Sequence, residues 1–227
     1  MIPVIGIPHL GLFELLDGAV HPLLNKAEKI HVIDNSTSFW RIQMAYPNVV
    51  VSNMHHNLGV GASWNLIIKL NPWARYWVII NNDVRFGEGD LEALEEHIKW
   101  HDVVTFGGMA AFAIRASAIQ KAGWFDENFV PAYFEDNDYH YRCRLLGVSY
   151  HQITDHHLEH LGSRVIRDND HYRTENGRTF PRNQQYYAQK WGGPVDHETY
   201  TTPFDRGGSP RDWTLDMTRL TVQAWKE

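Results

Sequence analysis

The sequence predicts an α/β fold in which helices flank a mostly parallel central sheet. Short β-rich runs alternate with helical stretches through the first two thirds of the 227 residues, and this alternation is typical of sheets built from strand–helix–strand units. The hydrophobic share of 43% and the aromatic share of 13% are those of a folded globular protein. The length is sufficient for one full hydrophobic core.

The elements follow from short apolar runs that end at polar or turn residues. Strands are predicted over residues 2–7, 29–33, 48–52, 76–80, 102–106 and, opened by two glycines, 107–114. Helices are predicted over residues 10–24, 61–70, 90–100, 116–122, 135–146 and 215–226. The helix over 61–70 stops before Pro72, because the residue before a proline disfavours the α conformation. Beyond residue 165 the chain is polar and aromatic.

Charge, cysteine content and the N-terminus exclude several classes of protein. The formal net charge of −6 disfavours a nucleic-acid partner, which would require a basic surface. The single cysteine, Cys143, permits no intrachain disulfide, so we expect a packing residue and a reducing, cytoplasmic compartment. The prolines Pro3 and Pro8 argue against a signal peptide. Because the first strand begins at Met1, we expect no upstream domain. No apolar run approaches the roughly 18 residues that a transmembrane segment needs.

Polar clusters follow two of the predicted strands. These are Asp34-Asn35-Ser36-Thr37 and Asn81-Asn82-Asp83, and ligands of parallel sheets bind beyond the carboxyl ends of the strands. A metal that neutralises a diphosphate needs few protein carboxylates, because the phosphates supply oxygens themselves. Asp83 is therefore a candidate metal ligand, and an ordinary turn is the alternative interpretation.

Acidic residues open the predicted helix over 135–146. Glu135, Asp136 and Asp138 lie in its first turn, where a carboxylate can act as a general base toward an acceptor hydroxyl. Helix capping and a favourable interaction with the helix dipole are the alternative. Asp138 is spaced i, i+4 from Arg142 and can pair with it, so it is better explained as a brace than as the base.

Histidines and glycines supply two weaker signals. His156, His157 and His160 surround Glu159, and the i, i+4 spacing of His156 and His160 could hold a metal on a helix, although the zincin motif is absent. A solvated polar turn is the alternative. The glycine-bearing turn at 57–62 leads into a helix, where backbone N–H groups can approach a phosphate.

The order of these motifs resembles that of the GT-A glycosyltransferases of family 2, and it is most similar to their rhamnosyltransferase-like branch. The resemblance covers residues 2–165, and its most specific block is 123–147. The motifs that carry it are Val32-Ile33-Asp34-Asn35-Ser36-Thr37, Asn57-Leu58-Gly59-Val60-Gly61, Asn81-Asn82-Asp83-Val84, Gly107-Gly108, Gly123-Trp124-Phe125-Asp126-Glu127, Glu135-Asp136-Asn137-Asp138, Arg142 and His160. The later Lys190-Trp191-Gly192 is similar to a C-terminal feature of some members.

The resemblance implies a GT-A fold with a nucleotide-sugar donor as co-substrate. Asp34 would contact the nucleotide base or ribose, and Pro8 would line the same pocket. Asn57 and Gly61 would shape the donor pocket. Residues 1–165 would form the catalytic core, and residues 166–227 would form an extension that packs on the core, on the side of the acceptor.

The resemblance also implies a divalent cation, Mn²⁺ or Mg²⁺. Asn81-Asn82-Asp83 occupies the position of the family's DXD motif, so Asn82 and Asp83 would lie at the diphosphate, Asp83 would bind the metal and His160 would be a late metal ligand. The family's first acid is replaced by Asn81, which predicts weak metal affinity.

The implied reaction is a single displacement with inversion at the anomeric carbon. Asp136 would be the catalytic base, and Glu135 would orient the acceptor or the base. The acceptor hydroxyl could belong to a glycan, a lipid-linked glycan, a protein or a small molecule.

Three other functions are compatible with parts of the sequence. A sugar nucleotidyltransferase would need a basic, glycine-rich loop after the first strand, but no lysine or arginine precedes Lys26. A non-catalytic carbohydrate-binding module could stack sugars on aromatic residues such as Trp124 and Tyr133. A zinc protein using His156 and His160 would lack a matching cysteine set.

Overall fold

A computed structural model describes residues 1–36, 46–162 and 164–211, with the side chain of Ile166 excepted. The predicted helix over 215–226 lies outside the described residues, as does Thr37 of the first polar cluster.

The described residues form nine strands and seven α-helices. The strands are β1 Ile2–His9, β2 Ala27–Asp34, β3 Val49–Asn53, β4 Tyr76–Ile80, β5 Val84–Arg85, β6 Val103–Thr105, β7 Ala111–Arg115, β8 Tyr150–Gln152 and β9 Glu159–His160. The helices are α1 Phe13–Val20, α2 Val60–Leu70, α3 Asp90–His97, α4 Ala116–Ala122, α5 Glu135–Leu146, α6 Arg164–Arg167 and α7 Asp170–Trp191. Short 3₁₀ helices span His21–Leu23 and Pro203–Asp205.

The central sheet has seven strands in the order β3-β2-β1-β4-β7-β6-β8. Strand β7 runs antiparallel to β4 and β6, and the other pairings are parallel. The register places His9 of β1 beside Asp34 of β2, and Asp34 beside Asn53 of β3. The ends of three strands therefore lie side by side at one edge, and the predicted mostly parallel sheet is confirmed.

Helices cover both faces of this sheet, because each buries an apolar stripe on it. On one face, α1 and α3 contribute Leu16 and Leu94 to a buried cluster. On the other face, α2 and α5 contribute Trp64 and Cys143. Cys143 is fully buried and burial raises the pKa of its thiol to about 12, as befits the predicted packing residue.

Several predicted bounds were wrong. The strand predicted from residue 107 begins at Ala111, because Gly107 and Gly108 adopt φ angles of +80° and +141° that belong to a turn. The helix predicted over 10–24 is shorter, since α1 ends at Val20 and a 3₁₀ turn follows.

The 22-residue helix α7 lies in the region whose structure the sequence left open. Its buried residues are Asn183, Tyr187, Lys190 and Trp191, and they attach the helix to the core. Within the described ranges, no helix combines the length and the apolar character needed to cross a bilayer.

Candidate active site

A cavity of about 270 Å³ opens beyond the carboxyl ends of β1 and β4. Its walls come from these strand ends, from the first turns of α2 and α5, and from the first half of α7. Lining residues include Pro8, His9, Asn35, Asn57, Asn82, Asp83, Glu135, Asp136, His160, Tyr172, Glu175 and Asn176. A crevice at this edge is where ligands of open α/β sheets bind.

The cavity brings together most of the residues predicted for a functional site, but not Asp34 or Gly61. Asp34 is buried and its Oδ1 accepts a hydrogen bond from the Ser36 backbone at 2.9 Å, while the adjacent Asn35 lines the cavity. Gly61 packs against α5, where an added Cβ would lie 3.5 Å from the Cβ of Glu135. Gly61 therefore lies at the contact between α2 and α5, and the donor contacts of Gly61 and Asp34 stay predictions.

Asp83 and His160 face each other in the cavity although they are far apart in sequence. Strand β9 pairs with β5 so that Val84 lies opposite His160, and the Leu161 N–H donates to the Asp83 carbonyl at 3.0 Å. The Nε2 atom of His160 lies 3.3 Å from Asp83 Oδ1. The two-stranded sheet therefore holds both side chains in place.

Of the two interpretations of the histidine cluster, the shared helix of His156 and His160 is not formed, because His160 lies in β9. The ring of His156 packs edge-on against Phe106, with 5.4 Å between centroids. The backbone N–H of His157 donates to Asp90 Oδ1 at 2.9 Å. Of these three histidines, His160 is the one that lines the cavity.

Asp83 and His160 form an ion pair whose atoms suit a divalent cation. Burial alone would raise the pKa of Asp83, but hydrogen bonds from His160 and from the Arg164 backbone outweigh it and lower the pKa. The same bond raises the pKa of His160. Carboxylate oxygen suits Mn²⁺ and Mg²⁺, whereas imidazole favours transition metals, so this pair fits Mn²⁺ better than Mg²⁺. His160 must lose its proton to bind a metal.

The two acids at the start of α5 differ in burial. Glu135 is buried, and its Oε2 has no hydrogen-bond partner among the described residues. Burial and the neighbouring Asp136 raise the Glu135 pKa well above its ordinary value. Asp136 is half-buried and accepts a hydrogen bond from the Asn137 backbone at 2.8 Å. Burial also raises the pKa of Asp136, which makes it the stronger base once ionised.

The turn before α2 contacts both the loop before α5 and the end of β2. The Val60 N–H donates to the Pro131 carbonyl of that loop at 2.8 Å. The Leu58 N–H donates to Oδ1 of Asn35, which follows β2, at 3.0 Å. Gly59 has a φ of +85°, and a Cβ there would lie 2.9 Å from the Pro131 oxygen. Glycine is therefore required at position 59, where both the angle and the space exclude a side chain.

Asp126, Asp138, Arg142 and Lys190 form a buried ion network beneath these acids, with side chains no more than 1% exposed. Asp138 accepts from Arg142 at 2.7 Å and from Lys190 at 2.6 Å. Lys190 also lies 2.7 Å from Asp126. Burial opposes ionisation of Asp126, but Lys190 and other donors lower its pKa to about 2. The predicted pairing of Asp138 with Arg142 is confirmed.

Sequence reasoning missed several lining residues, above all His9, Tyr172, Glu175 and Asn176. His9 ends β1, so the strand-end rule that selected Asp83 applies to it equally. Its Nδ1 lies 2.9 Å from the Asn82 amide nitrogen, and burial lowers its pKa to about 4. The spacing of residues 172, 175 and 176 fits one face of a helix.

Comparison with known proteins supports the fold. No protein-family model matches the chain. A galactofuranosyl glycosyltransferase of Leishmania donovani is 54% identical over 39 residues, which make up 17% of this chain and 9% of that protein.

Solved structures resemble more of the chain. A TarS fragment from S. aureus in complex with UDP-GlcNAc has a TM-score of 0.52 and 14% identity, over 68% of this chain and 56% of that one. GalNAc-T7 with UDP, GalNAc and Mn²⁺ has a TM-score of 0.62 and 10% identity, over 83% of this chain and 50% of that one. The chain thus spans about half the length of these structures, and it has the GT-A fold of these glycosyltransferases.

Proposed function

We propose that this protein is an inverting, metal-dependent glycosyltransferase that uses a nucleotide-sugar donor. The observation that carries the proposal is one cavity, at the ligand edge of a GT-A sheet, that contains both the Asp83–His160 pair and Asp136. The Asp83–His160 pair is suited to bind a metal that contacts a diphosphate. Asp136 is suited to take the proton of an acceptor hydroxyl. On motif order we assign it to family 2 and the rhamnosyltransferase-like branch, and on its single buried thiol to the cytoplasm.

The donor proposed for the first test is a UDP-sugar. TarS has been crystallised with UDP-GlcNAc and GalNAc-T7 with UDP and Mn²⁺. Asp83 and His160 would hold Mn²⁺, which neutralises the charge of the departing diphosphate. Pro8, Asn57 and Asn82 line the same cavity and would position the donor.

Asp136 would act on the acceptor. Its carboxylate takes the proton of the acceptor hydroxyl as that oxygen attacks the anomeric carbon. The bond from this carbon to the diphosphate oxygen breaks, its electron pair leaves with the diphosphate, and the configuration inverts. Glu135, which keeps its proton to a higher pH than an ordinary glutamate, would donate a hydrogen bond that orients Asp136 or the acceptor.

The first half of α7 would form the acceptor side. Tyr172, Glu175 and Asn176 contribute a phenol, a carboxylate and an amide to the cavity wall, and such groups can stack on and hydrogen-bond to a sugar. We therefore propose a glycan, a lipid-linked glycan, a protein or a small molecule as the acceptor, with residues 166–227 on its side of the core.

Thermal-shift measurements test the donor site. UDP-, dTDP- and GDP-sugars are each added with and without Mn²⁺, and a ligand of the native state must raise the melting temperature. We expect a Mn²⁺-dependent shift with one nucleotide, lost in Asp83→Ala and kept in the control Asp155→Ala, which alters an exposed loop residue.

Turnover decides between an enzyme and a binding module. Release of free nucleoside diphosphate from the donor that binds is expected, and it should disappear with Asp83→Ala. Binding without release at any pH tested, with a panel of sugar acceptors present, would instead support a non-catalytic carbohydrate-binding protein. No shift with any nucleotide at millimolar concentration would contradict the donor site itself.

A further inference from the structure

A cluster of three histidines lies apart from the cavity and has no part in the proposed reaction. His97 ends α3, His101 follows one turn later, and His151 is the central residue of the edge strand β8. None of the three lines the cavity. Their nitrogen ligand atoms lie within 4.8 Å of one another.

Backbone geometry brings the three side chains together. The His101 N–H donates to the His97 carbonyl at 3.1 Å, which continues the helical turn and places both side chains on one side of it. His151 pairs with Val104 of β6, in the parallel ladder that holds β8 to the sheet. The cluster therefore joins a helix end to a sheet edge.

The His151 ring lies nearly parallel to the other two rings, at interplanar angles of 17° to His97 and 15° to His101. Ring centroids of His97 and His151 are 4.1 Å apart, and those of His101 and His151 are 4.7 Å apart. The third separation, between His97 and His101, is 6.2 Å, which closes a triangle. Three ligands around a tetrahedral ion at about 2.05 Å would be about 3.4 Å apart. The nitrogens, which lie within 4.8 Å of one another, would close to this spacing on one ion as the imidazole rings rotate out of their stack.

Ser149 is placed to support the tautomer of His101 that a metal requires. Its hydroxyl lies 2.9 Å from His101 Nδ1, and it can accept the proton of that nitrogen. His101 Nε2 then carries the free lone pair. A hydrogen bond to the second ring nitrogen is the usual outer-shell feature of metal-binding histidines. All three rings are half-buried, so an ion can enter from solvent while the side chains stay ordered.

We infer that His97, His101 and His151 bind one Zn²⁺ ion, which clamps the end of α3 to the edge strand β8. Three imidazoles without a carboxylate favour zinc and its neighbours over Mn²⁺ or Mg²⁺. Three protein ligands leave a fourth position for water. This site differs in ligand set from the Asp83–His160 pair, and it stands whether or not the proposed transferase activity is correct.

The test must first remove the competing ligands in the cavity. An Asp83→Asn, His160→Gln double variant of the full chain is stripped with a chelator, dialysed and titrated calorimetrically with ZnCl₂. We expect one saturable site. His97→Gln, His101→Gln and His151→Gln, each added to this background, should weaken Zn²⁺ binding by at least about tenfold. His171→Gln, which alters an exposed histidine, is the matched control.

Two further measurements exclude a folding artefact. Far-UV circular dichroism must match between each variant and its background. Co²⁺ added to the background protein should give the intense visible absorption of a tetrahedral complex, which the His151→Gln variant should lose. Unchanged Zn²⁺ affinity in the three cluster variants, or no saturable site in the background, would overturn the inference.

Discussion

The first turn of α5 carries carboxylates of two kinds, the cavity acids and the acid of the buried ion network. Asp138 is fully enclosed and contacts Arg142, Lys190 and the Trp191 indole, each within 3 Å. Two residues earlier, Asp136 lines the cavity and is bonded by backbone N–H groups, that of Asn137 at 2.8 Å. The two aspartates thus differ, because Asp138 is enclosed and bonded by three side chains whereas Asp136 is half-buried and lines the cavity.

This difference is the one expected between a structural carboxylate and the general base proposed for Asp136. A buried charge that has all its partners stabilises the fold. Removing one partner lowers the free energy of unfolding, because the other charge stays buried without compensation. A carboxylate that lacks partners has a raised pKa and destabilises its surroundings, which is the usual state of groups that exchange protons. Their proximity in the sequence alone would not distinguish Asp136 from Asp138.

The strongest test of this distinction is Asp136→Asn. We expect transfer to fall by about 10²–10⁴-fold, because the general base is lost. The free energy of unfolding should stay within about 1 kcal/mol of the native value, since burial disfavours the ionised Asp136. Steady-state kinetics and urea denaturation measure the two effects. Near-normal transfer with donor binding intact would reject Asp136 as the base.

Lys190→Met probes the other side of the comparison. It leaves Asp126 and Asp138 buried without their shared cation, so we expect a loss of about 3–5 kcal/mol in the free energy of unfolding. Lys121→Met is the control, because Lys121 pairs with Asp102 while 50% exposed, and its loss should be within about 1 kcal/mol. Equal losses in the two variants would show that the network does not brace the fold.

Acid should protonate the cavity acids before it weakens the network, because the pKa values of Glu135 and Asp136 are raised and that of Asp126 is lowered. Asp126 has a pKa lowered from 3.8 to about 2, so its stabilising effect is present above pH 4 and is lost as the pH falls toward 2. The corresponding loss is roughly 2 kcal/mol. Denaturation curves between pH 5 and pH 2 should show it, and Asp126→Asn should flatten this part of the curve. An equally steep decline in that variant would assign the acid sensitivity to other groups.

The smallest effect on stability is expected from His160→Gln. The His160 side chain is 37% exposed, so its pair with Asp83 contributes at most about 1 kcal/mol. The contribution of His160 is present below its ordinary pKa of 6.5 and is lost as the pH rises through its raised pKa. That of Asp83 is present above 3.8 and is lost as the pH falls through its lowered pKa. The variant should therefore differ most from the native protein between about pH 4 and 6.5, as measured by thermal unfolding.

The parallel part of the fold is the part that the sequence predicts well. Apolar runs such as Tyr76–Ile80 have strong local signals and end at polar clusters, so both the strand and its ligand edge can be found without tertiary information. Gly107 and Gly108 indicate a turn and not the start of a strand. The antiparallel direction of β7 depends on which strands it pairs with, so no single window of sequence encodes it.

The parts that were missed depend on contacts between distant residues. Strands β5 and β9 have two residues each, too few for any periodicity, yet their pairing brings His160 to Asp83. Helix α7 buries few of its residues and contains Pro181, so it lacks the apolar stripe that marks a surface helix. Its buried Lys190 is stable only beside acids that lie more than fifty residues earlier.

The two halves of helix α7, which is about 33 Å long, contact different parts of the protein. Its last turns hold Tyr187, Lys190 and Trp191 in the core, whereas Tyr172 and Asn176 near its beginning face the cavity. Substitutions in the first half of α7 can therefore change the shape and polarity of the cavity wall, while Tyr187, Lys190 and Trp191 still attach the helix to the core. A scaffold of this kind can acquire a new ligand preference while its fold is kept.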